Sequence, residues 1–201
     1  MITKGTRAHN HLTGSDWEVL EADAETGARG FLLRVKCPVG AAPDVIRHIH
    51  NDWHEDFTIL SGNCAYRIGK DVRSASAGDV ISMPPGRPHV HPWNTGTEPL
   101  VYEHRATFPG PRPGALDDTF GVFFTAFERS KVRGRFLSNG LPVNPLMLVA
   151  MGRRLGRHGN YLAALPIAGQ KFTNATLGAL VAALGVEPID HDIIAALPRE
   201  E

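Results

Sequence analysis

Two periods divide the chain. Up to about residue 106 apolar side chains recur at every second position, and beyond a Pro/Gly-rich stretch they recur every three or four. The first period is clearest where Phe31, Leu33, Val35 and Cys37 alternate with Leu32, Arg34 and Lys36. Successive side chains of a strand point to opposite faces, so this stretch predicts a strand with one buried side. Trp17 to Glu21 predicts a short strand before it, closed by a turn at Glu25-Thr26-Gly27. Further strands are expected around Val45 to His50, His54 to Ile59, Asn63 to Ile68, Val72 to Ala75, Val80 to Met83 and Leu100 to Arg105. Gly69-Lys70-Asp71 supplies one hairpin turn between them. Residues 1–15 are polar and rich in Gly and Thr, and they predict an arm with little structure of its own.

The sequence FPGPRPGA then stops the sheet pattern, because proline removes backbone donors from a ladder. After it, Leu116, Phe120, Phe123, Phe124 and Phe127 fall at helical spacing, with Asp117 and Asp118 at the end where carboxylates suit the helix dipole. A helix is predicted over Leu116 to Glu128. A second begins at Asn144-Pro145, a cap followed by proline in the first turn, and runs through LMLVAMGRRLG. A third is expected from Thr173 to Leu184, stopped by Gly185. The expected organisation is an arm (1–15), a β-domain (16–108), a linker (109–115) and a helical extension (116–201). Each apolar helical run is shorter than the ~20 residues that span a bilayer, so no membrane span is expected. LMLVAM and LGALVAAL are apolar enough to require a covering surface, and a homodimer is the expected state.

Composition narrows the partners. The 201 residues are 42% hydrophobic and carry 21 Lys plus Arg against 21 Asp plus Glu. That balance offers no electrostatic case for nucleic acid or an anionic membrane. Cys37 and Cys64 form neither a Cys-x-x-Cys pair nor a disulfide framework and read as buried thiols. The N-terminus has no apolar signal core, so a cytoplasmic location is expected.

The chemistry concentrates in two stretches, Arg47 to Gly62 and Gly78 to Asn94. Strand parity puts His48 and His50 on one face. In the following strand Glu55 shares the parity of Phe57 and Ile59, whereas His54 faces outward with Asp56 and Thr58. The stiff bend Pro84-Pro85-Gly86 then delivers His89. Burying unpaired ionisable groups costs several kcal/mol. Three imidazoles and one carboxylate on inward faces are therefore read as ligands of one metal ion: His48, His50, Glu55 and His89. By the same parity Tyr66, His91, Tyr102 and His104 point inward. These are the candidate catalytic residues, since an imidazole near neutrality moves protons and a phenol donates to an anionic oxygen. His9 and His11 lack further ligands at useful spacing and read as surface residues. The basic run Lys131 to Arg135 and the pair Arg153-Arg154 read as solvated loops.

Taken together, the two stretches resemble the paired motifs of the cupin superfamily. The first motif appears as His48, His50, Glu55 and Gly62, and the second as Gly78, Pro84, Gly86, His89 and Asn94. Ala42 stands where the first motif has an early glycine, and four residues rather than three separate His89 from Asn94. The resemblance covers about residues 30 to 106. It implies an antiparallel jelly-roll β-barrel and one divalent metal held by His48, His50, Glu55 and His89. Such a ligand set suits iron first, with manganese, nickel, copper or zinc as alternatives, and leaves adjacent positions open for a small organic substrate. An Fe(II)-type oxygenase is the leading expectation. The alternatives are a non-redox isomerase, cyclase or lyase with the metal as Lewis acid, and a non-catalytic small-molecule-binding cupin.

Overall fold

The computed structural model describes residues 1–138 and 140–200. Strand β3 (Gly30–Cys37) buries Phe31, Leu33, Val35 and Cys37 and exposes Arg34 and Lys36, as the alternation requires. On one side it pairs with β2 (Ser15–Glu21) and, through it, β1 (Arg7–Asn10). On the other lie β10 (Leu100–Thr107), β5 (His54–Ser61) and β8 (Val80–Met83), giving a six-stranded sheet in the order β1-β2-β3-β10-β5-β8. The second sheet holds β4 (His48–His50), β6 (Asn63–Ile68), β7 (Asp71–Ser76), β9 (His89–Asn94) and β11 (Asn160–Leu162), in the order β11-β4-β9-β6-β7. The pairings are antiparallel. The expected barrel is thus built as two antiparallel sheets, with the core between their inner faces. Phe31, Leu33, Phe57, Ile59 and Leu100 are essentially inaccessible there.

Three expectations change. Residues 1–15 are not an unstructured arm, because β1 pairs with β2 in register from Arg7↔Glu18 to Asn10↔Ser15. Its inward residues are short or polar (Ala8 and Asn10, with Thr6 just before the strand), and Asn10 donates to Asp44 at 2.8 Å. The turn at Glu25 is one helical turn, α1 (Asp23–Thr26), ended by Gly27 in the left-handed conformation. The extension from 116 onward is not purely helical, since β11 lies within it and extends the second sheet beside β4. Glu201, the end of that expected segment, lies outside the described residues.

The helices are α2 (Ala115–Arg129), α3 (Pro145–Gly156), α4 (Ile167–Ala175), α5 (Leu177–Ala183) and α6 (His191–Ala196). The Asn144 side chain caps α3 by accepting from the Leu146 amide at 2.9 Å. The third predicted helix is broken at Thr176 into α4 and α5. Helix α2 buries Leu116, Phe120, Phe124 and Phe127, and the Phe120 ring sits 5.0 Å from Phe31 and 5.8 Å from Trp17. The helical part is therefore docked on the first sheet through one aromatic cluster. No described helix is long and apolar enough to cross a membrane.

Candidate metal centre

Register explains how the site assembles. His48 of β4 lies directly across from His89 of β9, so their rings meet at 4.3 Å. His50 and His91 sit two residues along on the same inward faces, because side chains repeat every second residue. From the facing sheet come Glu55 of β5 and His104 of β10, neighbouring strands in which Phe57 pairs with His104. Glu55, His89 and His104 are each 1% exposed. One ligand atom from each of His48, His50, Glu55, His89 and His91 lies within 4.8 Å of all the others. The parity argument that chose Glu55 over His54 agrees with the burial: His54 is on the outer face, against Asp56 at 3.1 Å and Ser82 at 2.9 Å.

The hydrogen bonds fix which nitrogen each imidazole offers. His48 Nδ1 donates to the Ile46 carbonyl at 2.8 Å and His89 Nδ1 to the Arg87 carbonyl at 2.8 Å. A carbonyl can only accept, so the proton is on Nδ1 and the Nε2 lone pair is free. His50 Nδ1 meets the Asn160 side-chain oxygen, while Trp53 stacks on the ring at 4.5 Å and 5°. On the inner side, Glu55 Oε2 lies 2.8 Å from His89 Nε2 and 3.2 Å from His50 Nε2. All three atoms are buried without an aligned hydrogen-bond partner. Buried polar atoms are almost always paired. Bare donor atoms facing a common point, each braced from behind, fit a divalent cation of borderline character.

Electrostatics agree. Burial opposes ionisation of Glu55, but His50 and His104 outweigh it and hold the carboxyl well below its usual range. Burial, reinforced by His89 and His50, pushes His48 well below the ordinary imidazole value. Burial also lowers His91 strongly. Burial works in the same direction on His89, yet Glu55 prevails and raises it.

The candidate catalytic residues separate into two groups. His91 joins the cluster, 3.7 Å from Glu55 Oε1, and neither of its nitrogens has a hydrogen-bond partner. His104 bonds Glu55 Oε1 at 2.8 Å and stacks on Phe57 at 4.5 Å. Tyr102 faces inward but away from the site: it is two residues, ~7 Å, further along β10 than His104, and burial and Cys37 raise its hydroxyl pKa. Tyr66 is half-buried on β6 and packs against the core between the sheets. Neither tyrosine lines the cavity that opens from the site.

That cavity has a volume of about 460 Å³ and is bounded by both sheets and by α2, α3, β11 and α4. His48, His50, Glu55, His91 and His104 form its polar inner end, and Phe31, Phe120, Phe123, Met151 and Leu155 are among its apolar walls. Among the described residues no Lys or Arg lines it. Sequence reasoning missed Trp53, Thr119 and Asn160. Trp53 alone carried a signal, as an aromatic in the turn joining the two ligand strands.

Residues 34–104, which carry all six of these inward ionisable side chains, match the family described as the cupin domain. This region is a cupin domain. No curated protein matches the chain. Among solved structures the chain is similar to a predicted oxalate decarboxylase from Thermotoga maritima, 21% identical with a TM-score of 0.46 over 54% of this chain and 99% of that one. A cupin-like protein from the same organism is 22% identical, with a TM-score of 0.45 over 55% and 84%. A sugar phosphate isomerase from Silicibacter pomeroyi is 20% identical, with a TM-score of 0.40 over 47% and 59%. The matched region ends at residue 104, so the support of His50 by Asn160 and the far walls of the cavity come from outside it.

Proposed function

We propose that the protein is a metal-dependent cupin enzyme acting on a small, mostly apolar organic molecule, with Fe(II)-type oxygenation as its reaction. The observation that carries this reading is the convergence of unpartnered His50, Glu55 and His89 atoms in a cluster whose His50 and Glu55 line the inner end of an apolar cavity. In this reading His48, His50, Glu55 and His89 hold one divalent ion. When bound, the ion supplies Lewis acidity and, if it is iron, a site for dioxygen chemistry. The cavity walls exclude water and orient the substrate, whose oxygen donors face the cluster. His91 is the proton acceptor, because its buried ring stays neutral and both nitrogens lack partners. His104 positions the Glu55 carboxylate through Oε1. The absence of lining cations among the described residues favours an enolate, phenolate or thiolate over a phosphate or dicarboxylate. A second copy of the chain is the proposed cover for Phe172, Leu177, Leu180 and Leu184, which are all more than half exposed. A dilute monomer in size-exclusion chromatography would count against that dimer.

Metal analysis of protein purified without chelators, with oxygen uptake measured against small diketones, phenols and thiols, tests the reaction. Iron with substrate-dependent uptake supports oxygenation. Turnover under argon with zinc or nickel bound makes the enzyme a Lewis-acid catalyst instead, and tight ligand retention without turnover makes it a binding protein.

A further inference from the structure

We propose that Asn160, outside the cupin domain, is a positioning residue that sets the tautomer and orientation of His50. The proposal rests on the metal-binding reading above and extends it to a part of the chain that carries no ligand. Strand β11 adds to the edge of β4 with Asn160↔His50, Tyr161↔Ile49 and Leu162↔His48 in register. The turn before it is stitched to the ligand strand's end. The Asn51 amide donates to the Gly159 carbonyl at 3.1 Å, and Arg112 ties Asp52 to the His158 carbonyl. At the other end the Ala163 amide donates to Arg47 at 3.2 Å. Held this way, Asn160 is buried (7% exposed), its Oδ1 accepts from His50 Nδ1, and its Nδ2 reaches Thr119 Oγ1 of α2 at 3.4 Å.

The amide orientation decides the chemistry. With Oδ1 toward His50 the ring carries its proton on Nδ1 and presents a bare Nε2 to Glu55 and the cluster. Turned the other way, the amide would donate to Nδ1 and force the proton onto Nε2, which could not then bind a cation. Thr119 satisfies the first orientation, its hydroxyl oxygen accepting from the Nδ2 amide at 3.4 Å. His48 and His89 obtain the same bracing from backbone carbonyls two residues away, Ile46 and Arg87. His50 Nδ1 turns to the Asn160 side chain rather than to the His48 carbonyl two residues before it. A distant residue replaces it, and removing such outer partners costs about 10- to 100-fold in metal affinity.

The test uses full-length protein. Co(II) affinity is measured by competition with a chromophoric chelator, together with the Co(II) absorption spectrum, for wild type, Asn160→Leu, Asn160→Asp and Thr119→Val. Asn160→Leu should bind about 10- to 100-fold more weakly with an altered spectrum. Asn160→Asp, which keeps an acceptor, should restore both, and Thr119→Val should show a smaller loss. Long-range proton–nitrogen correlation on metal-free wild type should show His50 with its proton on Nδ1, protected from exchange. This readout needs no variant to fold and no ion to bind. A wild type that binds no Co(II) defeats the metal-binding reading, and the tautomer then decides the role of Asn160 alone. His50 protonated on Nε2, or a folded Asn160→Leu variant with wild-type affinity and spectrum, overturns the proposal.

Discussion

Replacing Phe120 with alanine tests the docking of the helical part on the sheets, on which the cavity depends. Phe120 is 3% exposed and its ring contacts Phe31, Trp17, Phe123 and Phe124 at 5.0 to 5.9 Å. Truncating such a ring removes its transfer free energy and leaves a void, together about 3–5 kcal/mol. A domain this size is stabilised by only about 5–15 kcal/mol, so the loss is roughly a fifth or more of the total. With a urea slope of about 2–3 kcal/mol per molar, the unfolding midpoint should fall by roughly 1–2.5 M, still in a single transition. The measurement is equilibrium urea unfolding followed by fluorescence and circular dichroism, with chelator present so that ion binding does not contribute. Phe172→Ala is the control, because that ring is 71% exposed; its removal should change stability by under about 0.5 kcal/mol. Equal small shifts for the two variants would refute the packing of α2 against the first sheet and, with it, the closed side of the cavity.

Other outcomes follow from the cluster. Glu55→Gln removes the only carboxylate among five ligand-bearing residues and should weaken Zn(II) binding by more than tenfold in calorimetry; unchanged affinity would remove Glu55 from the ligand set. Because Glu55 raises the pKa of His89, the proton on that ring competes with an ion from a higher pH than an ordinary histidine would. Zn(II) affinity should therefore fall as pH drops through the neutral range, by about tenfold per pH unit per displaced proton, and a flat profile would contradict it. His48 and His91 are held well below their unfolded value near 6.5, so the unfolded chain takes up protons there that the folded one refuses. Metal-free stability should accordingly be present above that pH and be lost below it, by about 1.4 kcal/mol per pH unit per proton in urea titrations. His104→Phe strands the buried Glu55 Oε1 and should cost about 1–3 kcal/mol in the same assay.

How far the sequence discloses this site follows from which constraints are local. Parity within one strand is local, so Phe31 to Cys37 and the choice of Glu55 over His54 can be read directly. Height along a strand is not fixed by parity, which is why Tyr102 shares a face with His104 but lies beyond the cavity. A register shift against a neighbouring strand is likewise invisible, as where β6 slips against β9 beside Tyr66. β1 escaped notice because its buried positions are Thr6, Ala8 and Asn10, small or polar side chains stabilised by partners such as Asp44 rather than by apolar packing. β11 follows a helix with no alternating run around it, and its neighbour β4 lies more than a hundred positions earlier. The ligands were legible because each lies in a strand with its own pattern; Asn160, which braces one of them, has meaning only in the folded chain.

The most direct test is the ion content of protein purified without chelators, set beside that of His50→Ala and His89→Ala variants shown to be folded by circular dichroism. One transition ion per chain in the parent, with most of it lost in each variant, is the expected result. A parent free of any such ion after reconstitution, or variants that retain it in full, would show that these imidazoles pack the space between the sheets without binding a metal.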